Sequence, residues 1–228
     1  MFEPNTTSSS SWRVVCSVVF VACALYYYLT LTESNEMNGI LQYRLNHAIL
    51  VLKKGDITKF KGDAITNAAN ERMLGGGGVD GAIHRAAGPG LLEECRKVPT
   101  DENQERCLVG KAILTGGYKL HAKYVIHTVG PRYHGAKESA PLLTSAYKET
   151  VELAVQNGIT TLALPAISCG IFGYPLDEAS EIALHTLNET VREPLREVTF
   201  MLFGDDVFNA FKMSAEKLGL EPNDGLEE

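Results

Sequence analysis

Positive charge is scarce in this chain and scattered along it. Against 28 Asp and Glu stand 21 Lys and Arg in 228 residues, a formal net charge of −7, and no basic run is longer than Lys53-Lys54. A nucleic-acid partner held by counterion release needs a basic stripe, so direct nucleic-acid binding is not expected. Cysteine is equally sparse. Cys16 and Cys23 lie in an apolar run, and Cys95, Cys107 and Cys169 form an odd set without C-x-x-C spacing, which reads as reduced thiols rather than a disulfide framework. The histidines show no H-x-x-x-H pattern and none is paired with a C-x-x-C, so neither a metal nor a cofactor is expected. No internal repeat is visible, and no Gly-Lys-Ser/Thr follows a glycine loop, which excludes a Walker-type phosphate loop.

What the chain does have at its N-terminus is a long uncharged stretch, Val14 to Thr32. As a helix it spans roughly 28 Å, close to the bilayer core of about 30 Å, with Trp12 and Tyr26-Tyr27-Tyr28 as interfacial anchors. It reads as one membrane-spanning helix, single-pass; the alternatives are a cleaved signal peptide and a spurious extension. Only Arg13 against Glu33 and Glu36 bears on orientation, and by itself it places the folded part outside the cytosol. The reduced-thiol reading favours the cytosolic side instead. The sequon Asn188-Glu189-Thr190 does not arbitrate. The organisation expected is a tail (1–13), an anchor (14–32), a linker (33–44), one folded domain (45–220) and an acidic tail (221–228).

Within that domain, strand-like runs at Ala48–Leu52, Ala64–Thr66, Ala112–Thr115, Tyr124–His127, Thr161–Leu164 and Val198–Phe203 alternate with helical patterns. The helices are expected at Val79–Ala87, Gly90–Lys97, Ser139–Asn157, after Pro175, and up to Leu218. Such alternation predicts an α/β fold: a three-layer α/β/α sandwich with a mixed, largely parallel, fully covered sheet. It is expected to stand as a monomeric domain.

Two glycine-rich loops each join a strand to a helix, Gly75 to Gly81 and Ser168 to Pro175. Loops of this kind lie at the carboxyl ends of strands and present unpaired amides and a helix N-terminus to an anion. Two of them together suggest a diphosphate. Gly76-x-Gly78-x-x-Gly81 fits the loose G-x-G-x-x-G pattern, but Asn67 to Leu74 intervene after the strand, so the dinucleotide fold is not indicated.

Five stretches in order, Gly55-Asp56-Ile57-Thr58, Asn67-Ala68-Ala69-Asn70, the tetraglycine loop with Val79-Asp80-Gly81, Tyr124 to Pro131, and Ser168 to Pro175, resemble the macrodomain family, closest to its MacroD-type branch. The resemblance covers roughly residues 45 to 218. It implies a module that binds ADP-ribose, removes mono-ADP-ribose from acidic protein side chains and deacetylates O-acetyl-ADP-ribose, with ADP-ribose, mono-ADP-ribosylated proteins and the membrane as its partners.

Carried over, Asp56 accepts from the adenine amino group, the Ile57 amide supports the ring and Phe203 packs on it. Asn70 holds the distal ribose hydroxyls. Gly76, Gly77, Gly78 and Val79 line one side of the ligand, while Ser168, Cys169, Gly170, Ile171, Phe172 and Gly173 form the diphosphate loop, Phe172 packing against the distal ribose. Asp80, with Asn70, is the catalytic expectation: Asp80 orients a water and stabilises positive charge at the anomeric carbon. From the residues alone Asp56 is also a turn former, Asn70 a turn residue, Phe172 a hydrophobic anchor, Phe203 a core aromatic, and Asp80 an N-cap paired with His84 at i+4. At a helix N-terminus Asp80 is expected to keep a low pKa and to be a weak base. Cys169 beside a helix N-terminus is not expected to be a nucleophile, since no histidine is fixed near it.

The chain departs from the family pattern at Arg132-Tyr133-His134, where an aromatic-rich loop is usual, and at Ala82, where cysteine is common. Both departures bear on substrate preference. The competing functional classes are a non-catalytic, membrane-tethered reader of mono-ADP-ribosylated proteins and a phosphatase acting on ADP-ribose 1″-phosphate.

Overall fold

The computed structural model describes residues 39–223. The 14–32 segment, the tail before it, residues 33–38 and residues 224–228 lie outside the described residues. The chain divides into two units, Met1–Ile40 and Leu41–Glu228, and the second carries the architecture. Among the described residues no helix is long and apolar enough to cross a membrane.

The described strands are β1 (Ile40–Leu45), β2 (Ala48–Lys54), β3 (Ala64–Ala68), β4 (Ala112–Gly116), β5 (Tyr124–Thr128), β6 (Thr161–Leu164) and β7 (Glu197–Leu202). They form one sheet in the order β1-β2-β7-β6-β3-β5-β4. The pairs from β2 through β7, β6 and β3 to β5 are parallel, and only β4 on β5 is antiparallel among the pairs whose register is described. The helices are α1 (Gly78–Ala87), α2 (Pro89–Lys97), α3 (Ala136–Gln156), α4 (Leu176–Thr190) and α5 (Asp205–Lys217).

Side-chain alternation along each strand splits the core in two. Leu162 and Leu164 of β6, Ile126 of β5 and Phe200 of β7 pack with Leu143, Tyr147, Leu184 and Phe211 of α3, α4 and α5. Ala163, Val125 and Met201, one residue out of phase, pack with Ile83, Ala87, Leu91 and Cys95 of α1 and α2. Both faces of the strands are covered, which is why they read as unbroken apolar runs.

The boundaries differ from the sequence reading in three places. Residues 40–44, expected to be linker, belong to strand β1, with Tyr43 and Leu45 buried and Gln42 and Arg44 outward. The Asn46-His47 turn joins it to β2, Asn46 taking a φ of 54°. The start of the expected acidic tail pairs with that strand: the Arg44 amide donates to the Glu221 carbonyl at 2.8 Å and the Asn223 amide to the Gln42 carbonyl at 2.9 Å. Composition made both segments look polar, whereas the alternation Leu41, Tyr43, Leu45 was the available signal. Helix α3 begins at Ala136, three residues before the expected Ser139, and carries Pro141 near its start.

Phe200 is fully buried at the centre of the larger core, its ring centroid 4.5 Å from Phe211 and 6.1 Å from Tyr147. Phe200→Ala is expected to cost about 3–5 kcal/mol, read as a lowered urea midpoint for the full chain.

Candidate functional site

Strand order determines what can meet at the carboxyl edge of the sheet. Along β2-β7-β6-β3-β5 the ends are followed, in turn, by Asp56, Phe203, the Ser168–Pro175 loop, the Asn70–Gly78 segment and Arg132. From β2 to β3 there are three inter-strand steps of about 4.8 Å, or about 14 Å in all. The structure therefore sets these residues, far apart in sequence, in one row.

At the β2/β7 end the Gly55 amide donates to the Leu202 carbonyl at 3.0 Å, extending the ladder and bringing Asp56 beside Phe203. Asp56 caps a 3-10 turn, its Oδ1 accepting from the Thr58 amide at 2.9 Å and the Thr58 hydroxyl at 2.7 Å. It is exposed, and Ile57 is buried behind it. Phe203 is 85% exposed, so the core-aromatic alternative fails: the ring stands in solvent at the edge. An aromatic face and a carboxylate side by side suit a flat ring with an exocyclic donor.

In the middle, the Ser168–Gly173 loop is braced from below and from the rim. The Ile167 amide donates to the buried Tyr147 hydroxyl at 3.1 Å. Ser168 has a φ of 67° and a buried hydroxyl without a hydrogen-bond partner, a strained residue of the kind found at binding loops. The amides of Gly170, Ile171 and Phe172 donate no backbone bond among the described residues. Ile171 is 87% exposed, and Phe172 lies under the Arg132 guanidinium, 4.7 Å from the ring centroid. The Tyr133 amide donates to the Phe172 carbonyl at 2.9 Å and its hydroxyl donates to Glu178 at 3.0 Å. Cys169 is half-buried, and burial pushes its thiol up to about 12. It is no thiolate nucleophile at neutral pH.

At the β3 end the glycines let a loop lie directly on a helix. A side-chain carbon at Gly81 would stand 2.4 Å from the Gly76 carbonyl oxygen, and Gly78 takes a φ of 57°. Gly77 is the N-cap of α1, which corrects the alternative reading of Asp80 as the cap: Asp80 is the third helical residue. Gly76, Gly77 and Gly78 are exposed and Val79 is half-buried. The Asn70 side chain is held by its Oδ1, which accepts from the Arg72 amide at 3.1 Å, and its Nδ2, which donates to the Gly75 carbonyl at 3.2 Å. Asn70 and Asp80 meet across Gly76: a Cβ placed there would lie 3.0 Å from Asp80 Oδ2 and 3.3 Å from Asn70 Nδ2.

Asp80 is only 4% exposed. Its Oδ1 accepts from Asn67 Nδ2 at 2.7 Å and faces His84 Nε2 at 3.4 Å, while Oδ2 has no hydrogen-bond partner. Burial raises its pKa above the usual carboxylate value, outweighing the Asn67 bond and the His84 interaction that lower it. The expected low pKa is thereby corrected. The helix terminus favours the anion, but desolvation is the larger effect where water is excluded. A buried carboxylate with one oxygen tied and one open is a better base than an exposed cap.

Beneath Asp80 lies a polar set that the sequence reading did not single out: Asn67, His127 and Thr115, all buried. The signal available was a polar residue at a fully buried strand position, Asn67 in Ala64–Ala68 and His127 in Tyr124–Thr128. His84, Cys95 and His127 bring one ligand atom each to within 4.8 Å of one another. Both His127 nitrogens, however, already have partners, Asn67 at 3.1 Å and Thr115 at 2.9 Å, and the Cys95 thiol is pushed up to about 11, mainly by burial. That set is a hydrogen-bonded core rather than an ion cage.

The Macro domain family model matches residues 66–183; Asp56, Ile57 and Phe203 fall outside that span. The chain is 48% identical to a Klebsiella pneumoniae protein named O-acetyl-ADP-ribose deacetylase, over 67% of this chain and 87% of that one. It is 46% identical to the Xenopus laevis ADP-ribose glycohydrolase MACROD2, over 75% of this chain and 40% of that protein. In three dimensions it is similar to the Oceanobacillus iheyensis macrodomain solved with ADP, with a TM-score of 0.74 and 37% identity, covering 78% of this chain and 96% of that one.

Because the folded Asp80 binds its proton more tightly than the unfolded one, it subtracts from stability as pH rises from about 3.8 through its raised value. Asp80→Asn is expected to unfold at a higher temperature than the wild type at pH ~7, with the gain vanishing below pH ~4. Gly81→Ala is expected to cost about 1–3 kcal/mol by forcing the loop off the helix; thermal unfolding of the full chain reads both.

Proposed function

The chain belongs to the macrodomain family, and from that premise we propose that it binds ADP-ribose and hydrolyses it from acidic protein side chains, O-acetyl-ADP-ribose being a second ester substrate. The observation that carries this reading is the meeting of Asn70 Nδ2 and Asp80 Oδ2 around Gly76 at one end of the row, with an exposed aromatic and a carboxylate at the other. The adenine goes to Asp56, Ile57 and Phe203, the diphosphate to the amides of Gly170, Ile171 and Phe172, and the distal ribose to Asn70. With a net charge of −7, the phosphates are held by peptide dipoles rather than by a basic surface.

Asp80 Oδ2 takes a proton from the attacking water while Oδ1 stays on Asn67, and the nearby negative charge stabilises the cationic anomeric carbon. Water adds to C1″ and the side-chain carboxylate leaves with the bonding pair. A carboxylate, with a conjugate-acid pKa near 4, leaves without being protonated. The site thus needs a base and no second titrating acid, which favours esters over guanidine-linked ADP-ribose. The substrate's diphosphate is the alternative acceptor for that single proton.

The uncharged 14–32 segment supports a membrane-tethered form of this activity, and the free Cys95, Cys107 and Cys169 support a cytosolic folded unit.

With the full chain and a protein mono-ADP-ribosylated on glutamate, label is expected to leave the protein as ADP-ribose, about 10²-fold or more slowly in Asp80→Ala. The same label on arginine is expected to stay. Binding of the modified protein with label retained on glutamate makes the chain a reader and overturns the hydrolase reading.

A further inference from the structure

A fully buried histidine on a strand paired on both sides is costly, and a valine or leucine would fill the position of His127 more cheaply. His127 is 0% exposed, and burial, with His84 adding to it, depresses its pKa to about 3. Burial thus favours the neutral ring. Its contacts form a chain. Asn67 Nδ2 lies 2.7 Å from Asp80 Oδ1 and 3.1 Å from His127 Nδ1, and His127 Nε2 lies 2.9 Å from Thr115 Oγ1 with Cys95 Sγ at 3.8 Å. An amide nitrogen has two hydrogens, and here one goes to the carboxylate and the other to the ring. Nδ1 must then be the bare nitrogen, which leaves the proton on Nε2, donated to Thr115. Asn67 Oδ1 has no partner, so nothing else fixes which way the amide faces.

We propose that His127 is a positioning residue: with Thr115 it locks the Asn67 amide so that its NH2 group, not its carbonyl, meets Asp80 Oδ1, leaving Oδ2 as the reactive oxygen. The role rests on the hydrolase reading; the hydrogen-bond chain itself does not. A reversed amide would put an oxygen lone pair against the carboxylate and disfavour its charged form. The register places the residues for this, Asn67 opposite His127 in the β3/β5 pair and His127 opposite Ile113 in the β4/β5 pair. Of the other groups near Asp80, His84 from its own helix has Nε2 3.4 Å from the same Oδ1 without forming a hydrogen bond, and the Cys95 thiol of α2 feels the Asp80 charge without donating to it.

The test is made on the full chain, with hydrolysis of the glutamate-linked substrate and ADP-ribose affinity measured side by side. His127→Leu keeps volume and removes the acceptor. Its kcat is expected to fall about tenfold or more with affinity within about twofold of the wild type, and the acidic limb of its pH–rate profile to move to higher pH. His127→Asn places a carbonyl oxygen where Nδ1 stood and is expected to recover most of the turnover. If the leucine variant does not fold, Thr115→Val carries the kinetic test, with an expected loss of about threefold in kcat. Long-range 1H–15N spectra of the wild type are expected to show His127 as the neutral Nε2–H tautomer from about pH 5 to about pH 8.

Wild-type kcat in the Leu and Val variants, equal impairment of the Leu and Asn variants, or an Nδ1–H tautomer overturns the proposal. A wild type that binds but does not hydrolyse overturns the hydrolase reading and the kinetic role together, while the tautomer still decides the hydrogen-bond chain.

Discussion

A carboxylate removed from water must be paired, hydrogen-bonded or protonated, and most of the site can be understood as the arrangement that keeps Asp80 buried and usable. One oxygen is satisfied by Asn67 and approached by His84; the other is left open toward Asn70. Burial raises the affinity for a proton, and the Asn67 hydrogen bond and the nearby His84 oppose that rise. The polar residues behind Asp80 follow from the same need, since an amide that faces the wrong way would undo the balance.

The glycines serve that carboxylate as well. Helix α1 can begin with Gly78 and bury its third residue only because the Gly75–Gly77 loop lies flat on it, and Gly81 is the residue that permits the contact. The loop amides that become available in consequence are the attraction for an anion in a chain with a net charge of −7. Across the crevice the second loop is tied down by three unrelated contacts, Tyr147 below it, Tyr133 beside it and Arg132 above Phe172. Two braced loops on adjacent strands β3 and β6 give a rigid seat, and the parallel order β2-β7-β6-β3 sets its length.

The Arg132-Tyr133-His134 departure acquires a structural meaning here. Arg132 supplies a cation at the rim, over the Phe172 ring, and Tyr133 links the rim to Glu178 in the first turn of α4. The change leaves the floor of the site untouched and alters what lines its mouth.

Much of this was legible in the sequence because it is local. Apolar runs of strand length, 3.6-residue periodicity and glycines before helices report backbone conformation within a few residues, and they were enough for the layers, the element order and the two anion loops. Strand β1 is masked by its polar residues, and its pairing with residues 221–223 cannot be read locally because that partner lies at the far end of the chain. The state of Asp80 has a related cause: the helix terminus and the i+4 partner His84 are visible in sequence, whereas the hydrogen bond from Asn67 on β3 and the packing that excludes water come from elsewhere in the chain. The sequence by itself determined most of the helices, strands and loops and which chemical groups the loops carry. Only the tertiary structure decided which of those groups are buried together, because burial and strand register depend on pairing between residues far apart, and a pKa follows burial.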